Sequence, residues 1–149
     1  MKTKITALAA GLVMFFMVGC DTSVPESEIP SVVLNAFNLE FEDTKEVEWE
    51  KHSNLYTVEF EFKDKDHEAL IDENGKLLKY KKELQLSELS DELKTTLDTG
   101  FSEMQIEDID LLVLNDNQYY QIEFDGKISN GRKVFDSTGE EMDNVIYFD

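Results

Sequence analysis

Sliding the chain against itself by 64 positions aligns it without a gap from Pro30 onward. A self-similarity of that length limits the possible folds more than any single residue does. Phe37 meets Phe101, Tyr56 meets Tyr120, Glu59-Phe60 meets Glu123-Phe124, Lys63 meets Lys127, Asp72 meets Asp136 and Gly75 meets Gly139. Apolar character stays in step between these identities, as in Val33 with Leu97, Val47 with Leu111, Val58 with Ile122, Leu70 with Val134 and Leu78 with Met142. The expectation is two copies of one small unit, about 29–86 and 87–149.

Each unit opens with a helical pattern. Val33, Leu34, Phe37 and Phe41 recur on one helical face behind start signals at Ser27, Glu28 and Pro30, and Leu93, Leu97 and Phe101 do so behind Ser90-Asp91-Glu92. Strands follow. Tyr56, Val58, Phe60 and Phe62 alternate with Thr57, Glu59 and Glu61, the mark of an antiparallel strand buried on one side. Turn residues stand before these strands at 51–54 and 115–118. They return at Asp72-Glu73-Asn74-Gly75 and Asp136-Ser137-Thr138-Gly139, where glycine tolerates positive φ. Each unit therefore reads helix, strand, turn, strand, strand, turn, strand. The fold class is α+β, with helices on one face of antiparallel sheet.

The first nineteen residues hold only Lys2 and Lys4 among charged residues, and then the uncharged run Ile5–Val18. This is the layout of a secretory signal, too short to span a bilayer. Met17-Val18-Gly19-Cys20 resembles the lipobox of bacterial lipoproteins, in which cleavage precedes a cysteine that carries lipid. The resemblance makes 1–19 a signal peptide, Cys20 the lipidation site and 20–28 a tether. The protein is then expected in the bacterial envelope, anchored to the membrane through lipid and facing the periplasm or the surface. Cys20 is the single cysteine of the chain, so no internal disulfide is available. Without positions 1–19 the formal charge of −19 becomes −21, which repels nucleic acid. Residues 28–83 carry 15 acids and 8 bases, and 84–149 carry 16 and 4, so the first unit is mixed in charge and the second acidic.

The helix ending in Ala36-Phe37, Val47-Glu48-Trp49-Glu50, Tyr56-Thr57-Val58-Glu59-Phe60 and Asp72-Glu73-Asn74-Gly75-Lys76 together resemble the PepSY-like family, also called β-lactamase-inhibitor-like. The resemblance covers about Ile29 to Phe148. It implies envelope proteins built of two tandem helix-plus-sheet units, with a fold similar to β-lactamase inhibitor protein. It brings no catalytic or metal residues, and fold alone assigns no activity.

The residues point to no enzyme. There is no Gly-x-Ser-x-Gly elbow, no His-Glu-x-x-His and no phosphate-cradling glycine loop. His52 and His67 read as surface histidines rather than zinc ligands. Asp72–Gly75 lacks the spacing of a calcium loop. No cofactor is expected. The sheet face turned away from the helices is the candidate interaction surface, with Glu48, Glu50, Glu59 and Glu61 in the first unit and Tyr119 and Glu123 in the second. Lys79 and Lys81 are expected on the same face. Leu111–Leu114 and Val145–Phe148 are apolar on both sides, so they are either doubly buried or a sticky patch. The expected function is binding of a protein, peptide or other ligand. A cation-binding module and a peptidase or hydrolase inhibitor are the alternatives.

Overall fold

The computed structural model describes residues 23–125 and 131–149; the signal-like segment, Cys20 and Lys127 lie outside the described residues. Helix α1 (Ser31–Glu40) is followed by β1 (Lys45–His52), β2 (Leu55–Phe62), β3 (Lys65–Asp72) and β4 (Leu77–Glu83). Helix α2 (Asp91–Gly100) leads into β5 (Gln105–Leu114), β6 (Asn117–Asp125) and β7 (Arg132–Phe135). All seven strands form one antiparallel sheet in chain order.

Both helices lie on the same sheet face, because the apolar side of each strand must be covered. Val33 and Phe37 of α1, with Phe41 just beyond it, pack on Trp49, Tyr56, Val58, Phe60, Ala69 and Ile71. Leu93 and Leu97 of α2 pack on Ile109, Leu111, Ile122, Phe124 and Phe135. The first cluster is rich in edge-to-face ring pairs, such as Phe37 with Trp49 at 5.2 Å and with Phe60 at 4.9 Å between centroids. Such pairs add about 0.5–1.5 kcal/mol each beyond the area they bury.

The two helix-led segments match in burial at a spacing of 60 rather than the 64 of the gapless alignment. Residues 25–40 and 85–100 share one burial pattern position for position, a spacing of 60, and β1 and β5 start at Lys45 and Gln105 with that same spacing. Val58 pairs with Trp49 and Ile122 with Ile109, so the spacing is 64 only from the second strand onward. The β5–β6 hairpin is longer by two residues on each arm. Phe101 is consequently the counterpart of Phe41 at the end of the helix, and Phe37 corresponds to Leu97. A shift of four residues keeps a helical face roughly in place and leaves strand parity unchanged, so polarity matches in either register.

Glycine closes two turns at the spacing of 64. Gly75 (φ 80°) and Gly139 (φ 84°) each follow an aspartate whose side chain accepts backbone N–H groups: Asp72 from Asn74 and Lys76, Asp136 from Thr138 and Glu140. The Asp72 carboxylate is thus held by its own loop.

Three expectations are corrected. Among the described residues the second half has three strands rather than four. After β7 the chain makes a bridge between Phe135 and Glu141, and then Val145–Phe148 leaves the sheet edge instead of extending it. A four-residue edge strand offers few ladder bonds, and the tail buries Phe148 by lying on the sheet face. His67 is not on the surface. Strand parity puts it with Ala69 and Ile71 on the helix side, stacked on Phe60 at 5.4 Å between ring centroids, and burial lowers its pKa. Part of the segment read as a tether is laid along the free edge of β1, where Ser23 bridges to Glu50 and Val24 N–H donates to Trp49 O at 2.9 Å. Covering an edge in this way blocks pairing with another chain.

Candidate interaction face of the sheet

Strand parity gathers a set of carboxylates on the sheet face turned away from the helices. Because Trp49, Val58 and Ala69 face the helices, their neighbours Glu48, Glu59 and Glu68 face away, and the register lines them up across three strands. Glu68 is opposite Lys81, and Lys81 is opposite Leu112, which faces Tyr119. One row across the sheet therefore reads Glu48, Glu59, Glu68, Lys81, Leu112, Tyr119. In the neighbouring row Glu61 faces Asp66, and Glu83 faces Asp110, which faces Gln121. The carboxylates of both rows and Lys81 border a depression of about 610 Å³, lined also by Glu46 and Asp108, while Leu112, Tyr119 and Gln121 lie beyond it.

Lys81 is the cation at the centre. Its Nζ lies 3.1 Å from Glu68 Oε2 and 3.7 Å from Asp110 Oδ2, with all three side chains largely withdrawn from water. Burial pushes Glu68 up, and it pushes Asp110 up to about 6, helped by Asp108 and Glu83 against the pull of Lys81. Burial disfavours the Lys81 ammonium as well, but the two carboxylates outweigh it and its pKa is raised. Lys79 has no such close pair, and burial lowers it. At the other end of the depression Lys45 bridges Glu61 at 2.8 Å. Ion pairs this exposed contribute little.

Past Lys81 the face changes character, because the C-terminal tail covers it. Phe148 O accepts from Lys81 Nζ at 3.3 Å and from Gln121 Nε2 at 3.1 Å, and Lys79 Nζ sits 3.8 Å from the Phe148 ring centroid. Arg132 carries the Tyr147 ring at 5.2 Å and bonds both Glu123 and Asp149. Burial, followed by the Asp110, Glu123 and Asp108 carboxylates, raises the Tyr147 phenol strongly. Leu111 and Leu112 are buried on opposite sides of the sheet, the first packed with α2, while Val113 and Leu114 are half-buried. Ile146, at 85% exposure, is the apolar residue the tail leaves in water.

The structure brings Glu48, Glu59 and Glu61 together at the depression and sets Glu50 beside them on the edge strand. Tyr119 and Glu123 share the sheet face but lie on β6, beyond Lys81, and Glu123 is taken by Arg132 at 3.2 Å. Sequence reasoning omitted Glu68, Asp110, Gln121 and Phe148. Parity was the available signal for the first three: each alternates with a core residue. The position of Phe148 depends on a chain reversal that no local pattern announces. Among the described residues no group of three or more His, Cys, Asp or Glu is arranged to hold a metal ion, and no helix is long and apolar enough to cross a membrane.

No protein-family model and no curated protein matches this chain. Solved structures of Bacteroides proteins do. A DUF2874 family protein from Bacteroides uniformis superposes with a TM-score of 0.68 at 13% identity, over 76% of this chain and 86% of its own. A protein from Bacteroides fragilis described as like β-lactamase inhibitor protein gives 0.66 at 13%, over 76% and 82%. A candidate periplasmic protein from Bacteroides eggerthii gives 0.68 at 12%, over 76% and 85%. At such identities the likeness is one of fold: the chain has an α+β fold like that of β-lactamase inhibitor protein, with two helices on a seven-stranded antiparallel sheet.

Proposed function

We propose that this chain is a non-enzymatic envelope lipoprotein whose uncovered sheet face receives a cationic partner, a basic peptide or a basic loop of another protein. The observation that carries the reading is the stacking of like charges directly across strands: Glu48 opposite Glu59, Glu59 opposite Glu68, and Glu61 opposite Asp66. Opposed like charges destabilise a sheet, whereas opposite charges in the same positions would stabilise it. A protein keeps such an arrangement where something other than stability is served. A cation-rich segment lying in the depression relieves the repulsion, and charge complementarity of this kind sets partner choice and association rate.

The rest of the reading rests on the sequence. The segment 1–19 and the lipobox-like Met17–Cys20 support lipid anchoring at Cys20, and hence a periplasmic or surface location. The shared burial pattern of 25–40 and 85–100 and the matching turns at Asp72 and Asp136 support two copies of one PepSY-like unit. Inhibition of a hydrolase is the activity that the fold-family name suggests, and fold does not carry it.

The test is titration of the full chain in detergent with an oligolysine peptide. Binding is expected to weaken as salt rises and as pH falls below about 6, where Asp110 takes up a proton. The variant Glu48→Lys/Glu59→Lys/Glu61→Lys abolishes it, while Glu92→Lys/Asp98→Lys on the exposed face of α2 does not. Equal loss in both variants would reduce the interaction to net charge and remove the case for the sheet face. A multivalent metal ion that binds and displaces the peptide would favour the cation-binding alternative.

A further inference from the structure

The seat of the C-terminal tail is built like a peptide receptor, and it lies next to the acidic depression rather than in it. Three cations of a chain short of them, Lys79, Lys81 and Arg132, converge on Tyr147, Phe148 and Asp149. Two donors hold one backbone carbonyl, that of Phe148. The Gln121 side chain at the bottom is fully buried, yet among the described residues nothing donates to its Oε1. A buried acceptor left unserved costs about 1–3 kcal/mol. An extended residue presents its own N–H and C=O along one edge. A side-chain amide answers both, its NH₂ on the carbonyl and its oxygen on the N–H. In the tail only the carbonyl half of that pairing is made, so the irregular tail fits the ring and the charge but leaves the amide half used.

We propose that this seat is a binding site for an extended peptide segment in which an aromatic residue is followed by an acidic one, delivered by a partner, and that Tyr147-Phe148-Asp149 occupies it in cis until displaced. The aromatic ring goes beside Lys79, its backbone N–H and C=O pair with Gln121, and the acidic side chain meets Arg132. This ligand is opposite in charge to the one proposed for the depression, so the two sites are separable.

The experiment uses the full chain carrying Phe148→Leu, which loosens the tail while keeping apolar volume, and a fluorescein-labelled peptide of sequence Val-Ile-Tyr-Phe-Asp. Fluorescence anisotropy is expected to show saturable binding to the variant. Binding to the wild-type chain should be at least tenfold weaker, since a tethered tail competes at an effective concentration on the order of millimolar. Replacing Phe by Ala in the peptide, or adding Gln121→Leu to the protein, removes binding, and oligolysine does not compete. Absence of binding to a variant that keeps the wild-type circular dichroism spectrum overturns the proposal, as does equal binding of the Phe-to-Ala peptide. Should Phe148→Leu unfold, the wild-type chain titrated with excess unlabelled peptide serves instead. Faster proteolysis of the released tail supports the proposal, and an unchanged digestion rate overturns it.

Discussion

Lys81 Nζ stands 3.1 Å from Glu68 Oε2 and 3.7 Å from Asp110 Oδ2, joining carboxylates that the sheet register places on the strands either side of it. The same ammonium donates to Phe148 O, so a single side chain joins the acidic half of the face to the covered half.

Replacing Lys81 by Met strands two buried carboxylates. Breaking a buried pair from one side costs about 3–5 kcal/mol. Urea denaturation at pH 7.5 should show a loss near the lower end of that range, because Glu68 and Asp110 are not completely dry. At pH 5 the loss should shrink, since burial already inclines both acids toward the protonated form. An equal loss at both pH values would mean that packing of the Lys81 stem, and not its charge, carries the effect.

Asp110 itself opposes folding at neutral pH. Its pKa is up to about 6 in the folded protein against 3.8 as the ordinary value, so the folded state binds the proton more tightly. Stability therefore falls as pH rises between those values. The change Asp110→Asn should raise the melting temperature at pH 7.5 by about 3 °C. The advantage should fade as pH falls through 6 and be gone near pH 4. A constant advantage at every pH would separate the gain from ionisation.

His67 has the opposite sign. Burial lowers its pKa below the ordinary 6.5, so the unfolded chain takes up the proton first as pH falls. The stability that neutral His67 contributes is complete above pH 6.5 and declines below it. Lys65 and Lys82 work in the same direction as burial, and Asp66 and the Lys65 carbonyl work against it. In the Asp110→Asn background, which removes the opposing titration of Asp110 and leaves that of Glu68 the same in both proteins compared, His67→Leu should reduce the fall in stability between pH 7.5 and 5.5. A fall left unreduced in the double variant assigns it to another group.

How much of this was legible in the sequence follows from the range of each signal. Helix faces and strand parity are local, so Val33, Phe37, Leu93 and Leu97 fall in the core as their spacing requires, and Glu48, Glu59 and Glu61 fall outside it. His67 was misplaced because its charged neighbours Lys63–Asp66 suggested a surface loop. The strand begins at Lys65 inside that polar stretch, and alternation then carries His67 inward. Phe101 was matched to the wrong residue because four positions is close to one helical turn. The tail was misread as a strand because Val145–Phe148 has strand composition, and nothing in composition distinguishes pairing at an edge from lying across a face.

Lipid attachment at Cys20 has a direct check. Labelled palmitate should enter the wild-type protein expressed in bacteria and not Cys20→Ala, and only the wild type should sediment with membranes. Label in the Ala variant would refute the reading of Met17–Cys20 as a lipobox.

Two glycines make a matched pair of opposite sign. Gly75 has φ 80°, and a Cβ there would stand 2.7 Å from the backbone oxygen of Val32, in the first turn of α1. Gly100, the last residue of α2, has ordinary φ and nothing within 4 Å of a Cβ. Alanine at Gly75 must adopt a left-handed backbone and push on a helix that cannot retreat from the core. The expected loss is about 2 kcal/mol, strain of order 1 kcal/mol from φ and the remainder from the clash. Alanine at Gly100 meets no contact and reduces the freedom of the unfolded chain, a gain of about 0.5 kcal/mol. Urea midpoints for the two variants should therefore move in opposite directions from wild type. A loss at both positions would show that the end of α2 depends on glycine for a reason other than space, and tolerance at Gly75 would show that the β3–β4 turn can leave its positive-φ conformation without disturbing α1.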